Sequence, residues 1–226
     1  MLFILLGLIL VVLAFGPQYW VRHIIRKHHT PLENMPGTGA ELAAHLIERF
    51  KLEGVRVQET GPDQNYYSPA EKIVGLAPDV FHGRSLSSVA IATHEVGHAI
   101  QYNRQEAVSK LRSKYTVPAK MVQGIGIFIL SSTPFIGLLA KAPAVMALTV
   151  VAGIATMLAS VVFHAMVLPE EYDASFGKAL PILEEGYVPE EHLPAVREVL
   201  KAAAYTYVAG ALADILSIWR WLLILR

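Results

Sequence analysis

The apolar positions of this chain fall into long unbroken runs, separated by segments where polar and apolar residues alternate at shorter periods. Met1 to Val21, Met121 to Ala140 and Ala142 to Pro169 hold no charged residue, and Lys141 alone stands between the last two. About 20 predominantly apolar residues cross the hydrocarbon core of a bilayer as a helix. The pattern therefore predicts a membrane helix over 1–21 and a helical hairpin over 121–168 that turns near Pro134 to Pro143. A fourth span is predicted over 202–226, although Asp214 falls inside it and Arg220, flanked by Trp219 and Trp221, lies near its end. An intramembrane Asp faces a protein interior or cavity. Asp214 reads as a hydrogen-bonding residue buried between helices.

The first run is an uncleaved anchor. A secretory signal carries its basic residues before the apolar stretch and ends it with a small-x-small site. Here Arg22, Arg26 and Lys27 come after the run, with His23, His28 and His29, and Ala14-Phe15-Gly16-Pro17 is a poor cleavage site. Tyr19 and Trp20 occupy the place of an interfacial aromatic belt. The histidines read as a solvated interfacial cluster.

Between the spans, shorter periods predict a small α+β unit. Thr38-Gly39-Ala40-Glu41 is a capping box, in which the Thr hydroxyl accepts from a free helix N–H and Glu reaches back to the cap. Leu42, Leu46, Ile47 and Phe50 then recur at helical spacing to about Leu52. Val55 to Glu59 alternates like a strand, and Asn65 to Leu76 holds two short β-like runs around Ser68-Pro69. From Ser85 the chain reads as a helix to about Tyr102. A second polar segment, Glu170 to Lys201, carries eight of the nineteen acids and is predicted helical on both sides of Gly186-Tyr187-Val188-Pro189.

Composition supports the membrane reading and narrows the chemistry. The 226 residues are 54% hydrophobic and 17% charged, where soluble domains spend about 25% on charge. The mean hydropathy is +0.42. Nineteen basic residues balance nineteen acids, which speaks against nucleic acid as a partner, since that binding needs a concentrated basic surface. The absence of Cys removes disulfides, thiolate metal sites and thiol nucleophiles, and fits a reducing compartment. Any metal must be held by the nine His and the carboxylates.

The chemistry concentrates in Ala92-Thr93-His94-Glu95-Val96-Gly97-His98-Ala99. In this His-Glu-x-x-His pattern, residues i and i+4 lie on one face of a helix, one turn apart. Both imidazoles can then reach one zinc ion about 2.0–2.1 Å from each nitrogen. Glu95, beside the first ligand, is placed to act as general base on water. Gly97 costs the helix about 1 kcal/mol relative to Ala, which implies another group packed close against it. His45 and His192 carry no signal, and His82 draws only a weak one from lying just before the motif helix.

A hydrolytic zinc site needs a third protein ligand and an open position. Position 104 is Arg, so the elongated three-His motif is absent, and an acid on a second helix is the alternative. Glu171, just after the hairpin, is the preferred ligand, with Glu170 and Asp173 as rivals. His164 shares a helical face with Glu171 at a separation of about 10.5 Å along a continuous helix, too far to share one ion, and reads as a polar packing residue.

At these residues the sequence resembles a family. Phe81-His82-Gly83-Arg84-Ser85 leading into His94-Glu95-Val96-Gly97-His98-Ala99-Ile100-Gln101 is similar to the membrane-bound neutral zinc metallopeptidases of the YugP type. So are Leu168-Pro169 with Glu171-Tyr172-Asp173-Ala174-Ser175, Ala203-Ala204 with Thr206-Tyr207-Val208-Ala209, and the order of the segments along the whole chain. The resemblance implies a zinc-dependent endopeptidase in a prokaryotic plasma membrane. More remotely, Glu171-Tyr172-x-Ala174 resembles a segment of the HtpX-type membrane peptidases in which the Glu is the third zinc ligand. Those end the segment with Asp where this chain has Ser175, so the group that would orient a ligand histidine is displaced, and Asp173 is the remaining candidate for that part.

The expectation is thus an α+β zincin-like unit, of the gluzincin type with His94, His98 and Glu171 on Zn2+, fused to a mainly α-helical membrane domain of four spans. The segments run 1–21 anchor, 22–120 catalytic, 121–168 hairpin, 169–201 acidic and 202–226 final span. Peptide or protein would be the substrate and the lipid bilayer the other partner. Tyr67, Tyr205 and Tyr207 are candidate oxyanion donors, and Lys72 to Leu76 is either a substrate-binding strand or a plain core strand. A different class, a membrane scaffold or chaperone with a structural zinc, is distinguished by a fourth protein ligand. Arg22, Arg26, Lys27, Lys110, Arg112, Lys114 and Lys120 flank the catalytic segment, against Lys141 in the hairpin, and basic residues near spans mark the cytoplasmic side. Met1 is expected outside and the catalytic site at the cytoplasmic face.

Overall fold

The computed structural model describes residues 2–210 and 212. The chain is mostly helical with one small sheet, and it divides into two compact units. One unit comprises Trp20–Leu111 with Pro169–Thr206, and the other is built on Arg112–Leu168.

In the first unit, α1 (Leu2–Lys27) contributes its C-terminal end. There Lys27 Nζ and His28 Nε2 reach Glu198 Oε2 at 2.8 and 2.9 Å, so two of the basic residues after the anchor tie it to the acidic segment. Helix α2 (Gly39–Arg49) starts with the anticipated box: Glu41 N donates to Thr38 Oγ1 at 3.2 Å and Thr38 N donates to Glu41 Oε2 at 2.7 Å. Its first residue must be glycine, because a Cβ there would sit 2.3 Å from the Val80 carbonyl oxygen.

Three short strands follow: β1 (Arg56–Glu59), β2 (Tyr66–Ser68) and β3 (Ile73–Leu76). The sheet order is β1-β3-β2, with β3 parallel to β1 and antiparallel to β2. Strand β3 is therefore hydrogen-bonded along both edges and buried throughout. This corrects one of the two readings of Lys72 to Leu76: with both ladders taken, β3 has no edge for a substrate strand. It is the core strand.

The one-turn α3 (Pro78–Phe81) leads to α4 (Leu86–Asn103), capped by Ser85 Oγ, which accepts from Ser88 N at 3.1 Å. Every residue from Leu86 to Gln101 is buried. Helix α4 runs through the middle of the unit, between α2 and the sheet on one hand and the acidic segment on the other. That segment begins with α7 (Leu168–Tyr172), loosens into π-helical turns over Asp173–Ala179, tightens at α8 (Leu180–Ile182), and widens again over Leu183–Tyr187. Gly186 adopts φ 105°, a left-handed value that ends this stretch. After it, α9 (Leu193–Ala204) packs its Val196, Val199 and Leu200 face inward.

The second unit contains α5 (Leu111–Ala140) and α6 (Pro143–Ala165), joined by Lys141 and Ala142. The turn falls inside the expected Pro134–Pro143 interval; Pro134 itself stays within α5. Lys141 takes φ 50° and its N–H returns to the Gly137 carbonyl at 3.0 Å. The helices approach closely where side chains are missing: a Cβ on Gly126 would meet Met157 Cγ at 2.5 Å, and one on Gly153 would meet Leu130 Cγ at 2.5 Å. Helix α6 stops four residues before Pro169, where Val167 N turns back to the His164 carbonyl at 3.1 Å. His164 and Glu171 thus do not share one continuous helix, which corrects that step of the spacing argument. Two helical stretches among the described residues, within Ala107–Ala140 and Pro143–Tyr187, are long and apolar enough to cross a membrane. The expected fourth span, with Asp214, lies from residue 211 on outside the described residues, save 212.

Candidate metal centre

Three side chains from two elements meet at one point. His94 and His98 project from the same face of α4, and Glu171 comes from α7. One ligand atom from each lies within 4.8 Å of the other two. Glu171 Oε2 is 3.4 Å from His94 Nε2 and 3.2 Å from His98 Nε2. All three are buried. Gly97 explains how the two elements come so near: a Cβ on it would lie 2.7 Å from the Ala174 carbonyl oxygen. The close neighbour implied by a glycine inside this helix is the backbone of the π-helical stretch.

The hydrogen bonds behind the imidazoles set their tautomers. Ser175 Oγ donates to the Leu200 carbonyl at 3.0 Å, so its contact with His94 Nδ1 at 3.0 Å is accepted from an Nδ1–H. Gln101 Nε2 donates to the Glu170 carbonyl at 2.9 Å and to Asp173 Oδ2 at 2.8 Å, leaving Oε1 to accept from His98 Nδ1 at 3.0 Å. In a neutral imidazole one nitrogen donates and the other accepts. Both Nε2 lone pairs therefore point at the Glu171 carboxylate. With both imidazoles neutral, three acceptor atoms converge in a buried place, an arrangement that a cation between them satisfies. Tetrahedral coordination at 2.0–2.1 Å puts neighbouring ligand atoms about 3.3 Å apart, which matches the 3.2 and 3.4 Å separations here. The residues fit zinc.

The other acids are placed differently. Glu170 is buried, and its carbonyl takes the Gln101 amide, while Asp173 stands behind Gln101. Among the described residues the metal-competent group is His94, His98 and Glu171. Burial alone would push the Asp173 carboxyl up, but hydrogen bonds from Gln101 and Lys178 and the Lys178 charge together hold it below the usual carboxylate range. Burial likewise opposes the Lys178 charge, and its bonds to Asp173 and Glu106 outweigh that and push it up. Glu95 is 6% exposed and makes no hydrogen bond or ion pair among the described residues.

The tyrosines fall in three settings. Tyr67 is buried on β2 against the Tyr102 ring, 5.7 Å between centroids, and burial pushes its phenol up, so it keeps its proton at neutral pH. Tyr205 packs edge-on to Trp20 at 6.4 Å, and Tyr207 lies under the Arg112 guanidinium at 4.9 Å. Of the remaining histidines, His45 meets the Tyr187 hydroxyl at 2.7 Å and His82 faces Glu59 at 3.3 Å.

Residues 3–226 match the model of a protein family described as "Putative neutral zinc metallopeptidase". The chain belongs to this family. It is 32% identical over 231 residues, covering 99% of this chain and 96% of the relative, to a Bacillus subtilis (strain 168) protein named "Putative membrane protease YugP". No solved structure matches. The neutral zinc metallopeptidase family thus implies the same metal that the donor set fits. Sequence reasoning missed Gln101 and set Ser175 aside in favour of Asp173, whereas Ser175 takes the His94 Nδ1–H and Asp173 bonds Gln101 instead of a histidine. The spacing of Gln101 and Ser175 was a usable signal, since Gln101 is one turn beyond His98 and Ser175 one turn beyond Glu171, on the faces already occupied by ligands.

Proposed function

We propose that this protein is a membrane-embedded zinc endopeptidase that hydrolyses peptide bonds of membrane-associated or unfolded proteins, with His94, His98 and Glu171 as ligands and Glu95 as the catalytic acid–base. The observation that carries the reading is the convergence of three acceptor atoms, backed by fixed tautomers, beside a carboxylate with no partner among the described residues. Zinc bound there supplies a positive charge that polarises a peptide carbonyl and makes water acidic near neutral pH. Glu95 takes the proton of the attacking water and returns it to the departing amine nitrogen, a role worth roughly 10²–10⁴-fold in rate. Tyr67 and Tyr205 lie in the same unit as the metal group and are the candidates to donate to the developing oxyanion, Tyr67 with its phenol held protonated by burial. A structural zinc takes four protein ligands, and three converge among the described residues, which favours an enzyme over a scaffold.

The α+β arrangement of α4, the sheet and the acidic segment supports a zincin-like unit of the gluzincin type. The two apolar helical stretches support membrane insertion, and the anchor and final span bring the proposed count to four, over the segments 1–21, 22–120, 121–168, 169–201 and 202–226. The hairpin returns the chain to the face it left, as a metal shared by α4 and α7 demands. The basic residues around the catalytic segment favour its cytoplasmic placement in the cell membrane.

The test is incubation of the purified full chain with a reduced, alkylated polypeptide. Wild type should cleave it, chelator-treated protein should not, and Glu95→Gln should lose cleavage while keeping about one zinc per chain, since it removes the base and no ligand. Wild-type turnover by Glu95→Gln would overturn the mechanism.

A further inference from the structure

The two imidazoles of the metal group are held from behind by chemically different partners. His94 leans on a neutral hydroxyl, Ser175, which is itself spent on the Leu200 carbonyl. His98 leans on an amide, and behind that amide runs a line of charges. Gln101 Nε2 is 2.8 Å from Asp173 Oδ2, Lys178 Nζ is 2.9 Å from the same oxygen, and Glu106 Oε2 is 3.0 Å from Lys178 Nζ. We propose that Gln101 is a positioning residue for the metal, a one-way amide clamp backed by Asp173, Lys178 and Glu106 that holds the His98 Nε2 lone pair toward the ion. The inference rests on the metallopeptidase reading above.

An amide is a two-ended group, and here its ends are not interchangeable. Its nitrogen faces two acceptors, the Glu170 carbonyl and the Asp173 carboxylate, while its oxygen faces His98 Nδ1. Turning it over would set oxygen against both acceptors and N–H against N–H. Gln101 is fully buried, so water cannot repair those contacts. The clamp thus permits one His98 tautomer, the one that leaves Nε2 for the metal.

The backbone is shaped to bring the charges to this place. Asp173 opens the π-helical stretch, and Gly177 keeps clear the space its carboxylate needs: a Cβ there would lie 2.2 Å from Asp173 Oδ1. On the other side Gln105 takes φ 52°, turning the chain after α4, and Glu106 N returns to the Gln101 carbonyl at 3.0 Å. Glu106 therefore bonds the clamp residue through its backbone and the clamp's last cation through its side chain. Removing the partner of a ligating histidine typically costs 10–100-fold in metal affinity.

Zinc affinity of the detergent-purified full chain, read by competition with a chromophoric chelator, should fall roughly 10–100-fold in Gln101→Met. Asp173→Asn, whose amide oxygen can still accept from Gln101 Nε2, should keep most of the affinity, whereas Asp173→Ala removes that acceptor and should lose part of it. With cobalt(II) in place of zinc, wild type should give two metal-shifted, solvent-exchangeable imidazole N–H resonances. Gln101→Met should remove one and Ser175→Ala the other, a signature that a general loss of stability would not produce. If Gln101→Met does not fold, the two Asp173 variants and the cobalt spectrum of Ser175→Ala, which should keep the His98 resonance, carry the test. Wild-type zinc affinity in Gln101→Met, equal affinity in Asp173→Asn and Asp173→Ala, or a Ser175→Ala spectrum without the His98 resonance overturns the clamp. Failure of wild type to take up zinc overturns the metallopeptidase reading and the clamp with it, and is read on wild type alone.

Discussion

The two units solve opposite problems. Along α4 the interior is polar where the chemistry lies: Thr93, His94, Glu95, His98 and Gln101 are all buried within one helix. Along α5 and α6 the large apolar side chains point outward, with Phe128 73%, Leu139 83% and Leu148 69% exposed. Only 17% of each apolar stretch is buried. A helix facing water keeps its apolar stripe inside; one that turns apolar residues outward all round suits lipid. The contrast teaches what each region is organised around. In the first unit Thr93, His94, His98 and Gln101 have named partners, Glu95 being the exception, and packing serves to hold them. In the second, backbone groups are satisfied within the helices themselves, and contact between α5 and α6 depends on glycines that let the backbones approach.

The largest effects should come from breaking the polar interior. His94→Ala, His98→Ala and Glu171→Ala should each strip or greatly weaken zinc and abolish cleavage, whereas Glu170→Ala should keep about one zinc per chain. Metal analysis showing the reverse for the two adjacent acids would move the ligand to Glu170. Next, the contrast of surroundings is open to chemical labelling, and the absence of Cys leaves no background. Lys141→Cys, between the two apolar helices, should react with a membrane-impermeant thiol reagent on intact cells, and Lys51→Cys should be spared. Labelling of Lys51→Cys alone would invert the orientation.

Smaller effects separate the units by packing. Gly97→Ala gains up to about 1 kcal/mol in helix propensity, but its methyl meets the Ala174 carbonyl at 2.7 Å. Overpacking of that kind costs about 1–3 kcal/mol and should win, lowering thermal stability and zinc affinity together. Gly124→Ala, with nothing within 4 Å of the new Cβ, should be neutral or slightly stabilising. An equal loss at both glycines would mean that the two helices are packed alike. Smallest of all, Thr38→Ala removes one bond of the α2 box and should cost about 1 kcal/mol in a melting experiment while leaving zinc content unchanged.

Several of these features are readable without coordinates because they are local. The Ser85 cap, the Thr38–Glu41 box, the i, i+4 histidines and the short β runs each depend on neighbours a few residues away, and the helix or strand period displays them directly. Gly97 pointed to a close approach because a glycine inside a helix costs about 1 kcal/mol relative to Ala, although Gly124 carries that cost with nothing within 4 Å. The family resemblance added the Glu171 register, which residue chemistry alone left open between Glu170, Glu171 and Asp173.

Tertiary structure decided the rest. Strand β3 lies between β1 and β2 although it follows both in the chain, and strand order is a property of the whole sheet, invisible to any one run of residues. The break at Met166 and Val167 ended a face that spacing had treated as continuous. Most of all, widened turns brought Asp173 and Ser175 to serve different histidines, where an ideal helix would turn residues two apart in different directions. Ser175 holds His94 directly, and Asp173 acts on His98 through Gln101. The candidate histidine ligands follow from residue type and period, which the sequence carries, and the third from the family register. The direction in which each ligand is held follows from hydrogen bonds between segments about 70 to 80 residues apart, and those exist only once the chain has folded.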